Sequence, residues 1–308
     1  VFIGFRPMSE VFVDTLTYRA IFNSYETSTL SEITLVNDDY LFSMLMFYCS
    51  KIMNVSWFFF LIAVLYICCS LWALRRIFPN NVWVAFLLFI GAFSFFAYGT
   101  NGLRNGIAGS LFILGLSYAN KKWLALIVMV IAVGMHKSMM LPLFAFVVSL
   151  LYRNSKFYIV LWLITIPVSL VSGGFWENFF GGLGFDDRLT YITTEADPDA
   201  FSSTGFRWDF LLYSAVPIAV GYYVLFRRQV SSIFYSYLLN TYIISNAFWI
   251  LVISANFSNR FAYLSWFLYP VVLLYPFLKF PLWRNQYNKV ALVLVLHFAF
   301  SYVMWLLK

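Results

Sequence analysis

The sequence predicts an all-α polytopic membrane protein with about ten transmembrane helices. Of its 308 residues, 62% are hydrophobic, 22% are aromatic and only 11% are charged, whereas a soluble domain carries about 25% charged residues. The apolar residues form successive windows of membrane-spanning length, and basic residues lie in alternate connections between them. A water-soluble fold of this composition would lack the polar residues to cover its surface. We therefore expect a single transmembrane domain over residues 1–308.

The predicted helices follow one another with short connections, and each is placed on an apolar window. Arg75 and Arg76 close the first window, Lys121 and Lys122 separate the third from the fourth, and His136 marks the break between the fourth and the fifth. The windows lie near residues 57–74, 82–98, 104–119, 123–136, 138–152, 157–172, 209–226, 231–253, 260–278 and 290–307.

The distribution of charge predicts which connections face the cytoplasm. One side holds only basic residues, namely Arg75, Arg76, Lys121, Lys122, Arg153, Lys156, Arg227, Arg228, Lys279, Arg284 and Lys289. All 13 acidic residues fall on the opposite side. Cytoplasmic loops carry an excess of Lys and Arg, so the basic side is predicted to be cytoplasmic. The net charge of +7 is then explained by topology, and we expect no nucleic-acid partner.

Two segments on the outer side are longer than the other connections. Residues 1–54 form an outer N-terminal segment in which residues 41–54 are expected to form an interfacial helix. Because the chain starts at Val1 with a mostly polar stretch, a further helix is expected before it. Residues 173–208 form a large extracytoplasmic loop rich in glycine and acidic residues. Long loops on a rigid scaffold often carry binding residues.

Several classes of enzyme are excluded by missing motifs. The sequence contains no Gly-rich Lys-Ser/Thr loop, no His-Glu-x-x-His helix and no Gly-x-Ser-x-Gly turn, which disfavours nucleotide hydrolysis, zincin proteolysis and serine hydrolase chemistry. Asp197 and Asp199 resemble an acidic metal pair, but two acids in a polar loop are more often solvated. Cys49, Cys68 and Cys69 are interpreted as packing residues. We expect neither a metal nor another cofactor.

Basic residues at the outer ends of apolar helices are the candidates for function. Arg104, His136 and Arg260 lie on the same predicted face, opposite a loop that supplies Arg188 and Arg207. An Arg in a membrane span is costly and usually faces a cavity or a partner, although it can also extend to the lipid headgroups. The guanidinium group binds phosphate oxygens in a multidentate manner. Together these residues predict a site for phosphate or pyrophosphate at the lipid surface.

His136 is a candidate proton acceptor because imidazole titrates near neutral pH. It lies at a helix break beside Lys137 and Ser138, where a bound sugar hydroxyl could reach it. A structural role at the break is the alternative. The other histidine, His297, lies inside the last predicted helix and is interpreted as a core residue.

The same residues carry a resemblance to a known family. In chain order they are Arg6, Asp14 and Tyr18, then Gly102-Leu103-Arg104-Asn105-Gly106-Ile107-Ala108, Met135-His136-Lys137-Ser138, Asp187-Arg188-Leu189-Thr190-Tyr191, and Asn259-Arg260-Phe261-Ala262-Tyr263. This order resembles the EpsG/Wzy-type bacterial polysaccharide polymerases over nearly the whole chain. The Arg-x-x-Ile-Ala and His-x-Ser elements in adjacent helices are its most specific part.

The resemblance implies a glycosyltransferase of multi-pass, GT-C-like architecture in the cytoplasmic (inner) membrane. It would join polyprenyl-pyrophosphate-linked oligosaccharide repeat units into O-antigen, capsule or exopolysaccharide at the outer face, with a chain-length regulator as a further partner. The resemblance and the charge pattern together assign catalytic roles to His136, Arg104 and Arg260. The predicted substrate-binding residues are Arg6, Asp14, Tyr18, Arg188, Tyr191, Arg207, Asp209 and Tyr263.

Two other functions and several other proton acceptors stay open. A flippase or exporter would use the same cationic groups to bind a lipid-linked oligosaccharide, but the embedded polar groups concentrate at the outer side, which favours an enzyme. A ligase would share the leaving group. Asp209, Glu177 and Asp14 are the alternatives to His136 as general base.

Overall fold

The computed structural model describes residues 1–9, 12–34, 39–172, 174–182, 205–255 and 258–306. Within these ranges, every regular element is helical. The helices are α1 (Val13–Thr27), α2 (Leu30–Thr34), α3 (Tyr40–Ser50), α4 (Val55–Ile77), α5 (Val82–Ile90), α6 (Phe93–Thr100), α7 (Leu103–Leu116), α8 (Lys122–Met135), α9 (Met140–Leu151), α10 (Ser155–Ser172), α11 (Phe175–Gly182), α12 (Trp208–Tyr222), α13 (Ile233–Leu251), α14 (Asn259–Trp266), α15 (Tyr269–Lys279) and α16 (Gln286–Leu306).

Fewer of these helices can cross a membrane than the sequence predicts. Within the described residues, five helical segments are long and apolar enough, namely Val55–Ile77, Ser155–Ser172, Trp208–Arg227, Asn259–Lys279 and Gln286–Met304, or up to six if α5 and α6 form one broken span. The predicted windows at 104–119, 123–136 and 138–152 correspond to the short helices α7, α8 and α9. A helix of 14 residues is only ~21 Å long, against ~30 Å of hydrocarbon. The all-helical fold is thus confirmed among the described residues, but the number of about ten spans is not.

The chain divides into two compact units. Unit 1 comprises Val1–Val82 and Phe93–Met139, and unit 2 comprises Trp83–Ala92 and Met140–Lys308. The 1–54 segment predicted from the sequence contains α1, α2 and α3 of unit 1. The 173–208 loop includes α11, while residues 183–204 lie outside the described ranges.

Unit 1 has an aromatic core built on one face of α1. Tyr18, Phe22 and Tyr25 follow helical spacing and are buried, which places them on a single face. Phe22 packs against Phe58 of α4 with ring centroids 5.2 Å apart. Tyr18 lies 6.0 Å from Phe42 of α3. This core fixes α1 and α3 against α4.

Helix α7 of unit 1 approaches its neighbours closely through small residues. A Cβ at Gly106 would lie 2.9 Å from the carbonyl oxygen of Tyr98 in α6. A Cβ at Gly115 would lie 2.8 Å from Met129 in α8. Small residues permit such contact between helix backbones. The close packing determines where the first turn of α7, which holds Arg104, lies in unit 1.

Unit 2 has a polar core centred on Asn246 of α13. Its Oδ1 accepts from Trp162 Nε1 at 2.7 Å, and its Nδ2 donates to Ser214 Oγ at 3.1 Å and to Ser265 Oγ at 3.0 Å. Trp266 Nε1 also donates to Ser214 Oγ at 2.8 Å. Buried polar groups need hydrogen-bond partners, and here the partners come from different helices. The hydrogen bonds therefore connect α10, α12, α13 and α14.

Candidate functional site

Asp39 is the centre of a polar cluster in unit 1. It directly precedes α3, and its backbone carbonyl accepts from Ser43 N at 3.0 Å in the first turn of that helix. Its side chain is 4% exposed. The side chain does not cap α3 and makes its contacts with α7 and with the segment after α8. We call Asp39, Arg104, His136 and Tyr18 the Asp39 cluster.

Arg104 connects two members of the cluster through different nitrogens. It lies in the first turn of α7, where its Nη1 donates to Asp39 Oδ2 at 2.5 Å and its Nε donates to Tyr18 OH at 3.2 Å. The guanidinium carbon lies 5.8 Å from the centre of the Tyr18 ring. The Arg104 side chain is 39% exposed although Asp39 is buried. Part of the guanidinium group can therefore be approached from outside the cluster.

The end of α8 determines the position of His136. The helix ends at Met135, and His136 is extended before the short 3-10 helix Lys137–Met139. His136 Nδ1 lies 3.0 Å from Asp39 Oδ1 and 2.9 Å from Asp39 Oδ2. The backbone N–H of Lys137 donates to Asp39 Oδ1 at 2.9 Å. The helix break predicted from the sequence is confirmed, and it turns His136 towards Asp39.

A hydrogen bond between side chains holds the break against α7. Ser138 Oγ donates to Asn105 Oδ1 at 3.2 Å, and both residues are buried. Asn105 follows Arg104 directly in α7, and Ser138 lies two residues after His136. Helix α7 and the segment after α8 are therefore joined in two ways. Both bind Asp39, and Asn105 and Ser138 bind each other.

The surroundings of Asp39 stabilise its ionised form. Burial alone raises the pKa of the carboxyl group, but the hydrogen bond from His136, the positive charges of His136 and Arg104 and the Lys137 N–H outweigh burial. The pKa of Asp39 falls to about 2 as a result. Asp39 is therefore a carboxylate at neutral pH and a poor proton acceptor.

Arg6 is buried beside the cluster, whereas the sequence analysis placed it in an outer segment with other polar residues. Only 3% of the residue is exposed, its Nη1 donates to Ile3 O at 2.6 Å, and its guanidinium carbon lies 5.0 Å from the Phe59 ring centre. Its Nε and Nη2 have no hydrogen-bond partner among the described residues. Burial lowers the pKa of Arg6 to about 10, although nearby Tyr18 opposes the shift.

Asp14, another predicted substrate-binding residue, lies in the first turn of α1 and is half-buried. It precedes Tyr18 by four residues, so both share one face of the helix. The structure thus brings Arg104 and His136 into contact with Asp39, and Tyr18 into contact with Arg104. Arg6 lies near Tyr18, whereas Asp14 shares with the cluster only its face of α1.

The other predicted residues with described positions belong to unit 2. Arg207 and Asp209 form a two-bond ion pair, with Nε to Oδ1 at 2.9 Å and Nη2 to Oδ2 at 2.6 Å. Arg207 also stacks over Phe210 with its guanidinium carbon 3.8 Å from the ring centre. A carboxylate occupied in this way is disfavoured as a general base, because the ion pair stabilises its ionised form.

Arg260 and Tyr263 lie in α14 of unit 2, about one helical turn apart. Both are half-buried, and Tyr263 packs on Trp266 with ring centroids 5.5 Å apart. Arg188 and Tyr191 lie outside the described residues, as do Asp197 and Asp199. Glu177 belongs to α11, but its side chain is not described.

Asp39 is the residue that the sequence analysis missed. It is one of the acids in the polar stretch before α3, next to Asp38. A carboxylate immediately before an apolar helix is the signal that could have drawn attention to it. Its partners lie 65 and 97 residues further along the chain, so spacing alone did not connect them.

The Asp39 cluster combines a proton-transfer group with a cationic group. An imidazole held by a carboxylate can accept or donate a proton, and a partly exposed guanidinium can stabilise negative charge on an oxygen. No group of three or more His, Cys, Asp or Glu residues that could hold a metal is found within the described ranges.

Comparison with known proteins gives one match. No curated protein and no solved structure matches the chain. The model of the EpsG family matches residues 1–308, which confirms the resemblance seen in the sequence motifs. The chain belongs to the EpsG family, a family of Wzy-type polysaccharide polymerases.

Proposed function

We propose that this protein polymerises oligosaccharide repeat units linked to polyprenyl pyrophosphate, at the outer face of the cytoplasmic membrane, into O-antigen, capsule or exopolysaccharide. The observation that carries the proposal is the Asp39 cluster, in which His136 and Arg104 both contact one carboxylate. Family membership supports the general activity. The excess of basic residues on the opposite side of the predicted topology supports an outward-facing site.

The proposed reaction is a displacement at the anomeric carbon of the growing chain. A hydroxyl group of the incoming repeat unit attacks this carbon, and the bond between the carbon and the pyrophosphate oxygen breaks. The proton of the hydroxyl passes to His136. The bonding electrons leave with the lipid pyrophosphate, whose added charge Arg104 stabilises.

Arg6 is proposed as a second binding group for the pyrophosphate. A buried guanidinium without a carboxylate partner is unfavourable in the free protein. Among the described residues no carboxylate pairs with Arg6, and two of its nitrogens are without hydrogen bonds. An anion at this position would supply both the missing charge and the missing acceptors. Tyr18 interacts electrostatically with both Arg6 and Arg104.

The reaction is proposed to need no metal, because cationic side chains supply the positive charge that a metal would otherwise provide. Arg260, Arg207, Asp209 and Tyr263 of unit 2, together with Arg188 and Tyr191, are retained as proposed contacts to the pyrophosphate or the sugars. Each is tested by its own variant.

The test is extension of a purified lipid-linked repeat unit by the purified protein in liposomes containing excess EDTA and no nucleotide. We expect a ladder of products, and a strict requirement for Mg²⁺ or Mn²⁺ would contradict the metal-independent mechanism. If cells make full polymer but the purified protein makes none from this substrate, an exporter would be favoured. Transfer of finished polymer to another acceptor, without extension, would indicate a ligase.

The role of His136 is tested in the same assay. Replacing it with Ala or Gln should lower turnover by about 10²–10⁴-fold, the usual contribution of a general base, with little change in binding of the lipid-linked unit. Gln can hydrogen-bond but cannot take up the proton, so near-normal turnover in His136→Gln would reduce His136 to a structural residue. Glu26→Gln, at an exposed position near the end of α1, is the control.

A further inference from the structure

We infer that Asp39 is the positioning residue of the active site, which fixes the tautomer of His136 and holds Arg104 beside it. The inference rests on the proposed function for its catalytic meaning. Its structural part, the state of the His136 ring, can be tested without any activity. Asp39 itself need not touch the substrate, because it acts through two residues that do.

The tautomer follows from the chemistry of the two groups. An ionised carboxylate can only accept hydrogen bonds. Both oxygens of Asp39 lie within 3.0 Å of His136 Nδ1, so Nδ1 must carry the proton. In the neutral ring the lone pair then belongs to Nε2. Asp39 therefore leaves His136 with its basic nitrogen at Nε2, as a proton acceptor requires.

The ionised state of Asp39 is secured by its other contacts. The Lys137 N–H donates to Oδ1 at 2.9 Å, and Arg104 Nη1 donates to Oδ2 at 2.5 Å. Each carboxylate oxygen thus accepts from a further donor besides the imidazole. A neutral carboxyl group would need one of these positions for its own proton and would lose a donor.

The same carboxylate determines where Arg104 can lie. Its Nη1 donates to Asp39 and its Nε donates to Tyr18. Two hydrogen bonds from different nitrogens fix the orientation of the guanidinium plane. The group that accepts the proton and the group that stabilises the leaving oxygen are consequently held by one side chain. A small movement of Asp39 would displace both.

A purely structural ion pair that fastens α3 to α7 is the alternative explanation. It predicts that a neutral isostere weakens the fold but leaves the pH dependence of the reaction unchanged. The positioning role predicts a change in both the ring tautomer and the pH profile. Among the described residues, the charged and titratable groups that act on Asp39 are His136 and Arg104 of α7. Arg104 in turn donates to Tyr18 of α1, which interacts electrostatically with Arg6.

The first experiment measures polymerisation by Asp39→Asn and Asp39→Glu. We expect Asp39→Asn to lower kcat by about 10²–10⁴-fold with a small change in KM for the lipid-linked unit. The acid limb of its pH–rate profile should move to lower pH, because the protonated imidazole has lost its neighbouring negative charge. Asp39→Glu should recover part of kcat. Glu26→Gln should match the wild type.

The second experiment observes the histidine ring directly by ¹⁵N NMR of protein labelled in the imidazole nitrogens. The chain has 2 histidines, so His136→Gln identifies the signals that remain as those of His297. We expect a protonated Nδ1 for His136 in the wild type and a mixture of tautomers in Asp39→Asn. This readout stands even if the wild type makes no polymer, which would overturn only the proposed function.

Two results would overturn the inference. One is an unchanged tautomer of His136 in Asp39→Asn. The other is a loss of activity in Asp39→Asn with an unmoved acid limb and no recovery in Asp39→Glu, which is the pattern of a structural ion pair.

Discussion

Arg104 acts through its shape as well as its charge, because two of its nitrogens donate in different directions. Lysine carries the charge on a single nitrogen and cannot reach Asp39 and Tyr18 with the geometry of a planar group. We predict that Arg104→Ala lowers polymerisation by about 10²–10³-fold, the usual cost of removing one donor to a developing anion, and that Arg104→Lys recovers little of it. The measurement is the product ladder per unit of membrane-inserted protein.

Arg19 provides the matched control for Arg104. It is an exposed Arg on α1, next to Tyr18 in sequence but on another face of the helix. Arg19→Ala should polymerise normally. Full-length polymer from Arg104→Ala would exclude Arg104 from stabilising the leaving group.

The depressed pKa of Asp39 predicts a loss of stability in acid. The pKa of Asp39 in the folded state, about 2, lies below the ordinary aspartate value of 3.8, so the folded protein binds fewer protons than the unfolded chain in this pH range. The ionised Asp39 therefore adds to the free energy of unfolding. This contribution is complete above about pH 5 and is lost as the pH falls through about 4 to 2, and its size is on the order of 2 kcal/mol. Thermal unfolding in detergent should show a smaller acid-induced drop in Tm for Asp39→Asn than for the wild type.

A control for this stability measurement is Glu26→Gln, whose drop in Tm should equal that of the wild type because the carboxylate is exposed. Identical acid-induced drops in Asp39→Asn and the wild type would show that Asp39 is not ionised preferentially in the folded state.

The sequence identified the cationic members of the site but not the residue that joins them. Arg104 and His136 could be predicted because a charge or a helix break in an apolar segment is a local feature. Asp39 could not, because it lies in a polar stretch beside another aspartate, and its partners in α7 and after α8 lie far away in the sequence. The burial of Arg6 was missed because residues 1–40 were treated as one polar outer segment, although the residues next to Arg6, from Val1 to Met8, are mostly apolar.

At the scale of the helices, Gly106 determines how closely α7 approaches α6. The neighbouring atom is the backbone oxygen of Tyr98 at 2.9 Å from an added Cβ, and backbone cannot move aside as a side chain can. Gly106→Ala should therefore destabilise the protein by about 1–3 kcal/mol, the cost of overpacking, and displace Arg104 two residues away. Both Tm and polymerisation should fall.

Gly99→Ala tests whether this effect is specific to the backbone contact. A Cβ at Gly99 would meet side-chain atoms of Ile3 at 3.2 Å and of Tyr66 at 3.6 Å, which can adjust. A loss of stability in Gly99→Ala as large as in Gly106→Ala would argue against the close approach of α6 and α7.

Helix positions were predicted more accurately than helix lengths. The window at 290–307 corresponds to Gln286–Leu306, and the window at 123–136 to Lys122–Met135. The window at 82–98 is interrupted at Gly91 and Ala92, between Val82–Ile90 and Phe93–Thr100. Hydropathy reports which residues avoid water, but a buried short helix and a membrane span are equally apolar. The short helices α7, α8 and α9 were therefore predicted as spans.

For the whole molecule, the charge distribution predicts that the loop before α8 and the end of α1 lie on opposite sides of the membrane. After replacement of the native Cys49, Cys68 and Cys69 by Ala, Glu26→Cys should react with a membrane-impermeant maleimide in intact cells. Lys121→Cys should react only after the membrane is permeabilised. Both native residues are exposed, so access by the reagent is not limited by burial.

Labelling of both cysteines from the same side would overturn the predicted topology. It would also remove the argument for an outward-facing site, while leaving the geometry of the Asp39 cluster unchanged. A variant without any cysteine, carried through both conditions, measures background labelling.

The long sequence separations in the Asp39 cluster have a consequence for biogenesis. Asp39 emerges from the ribosome before Arg104 and His136, which follow 65 and 97 residues later. Until both have been synthesised, the carboxylate lacks at least one of the two partners that offset its removal from water, and hydration has to take their place. The burial of Asp39 thus has to wait for the last segment of unit 1, which ends at Met139. Synthesis as far as Met139 then sets the earliest moment at which a nascent chain can assemble its polar centre.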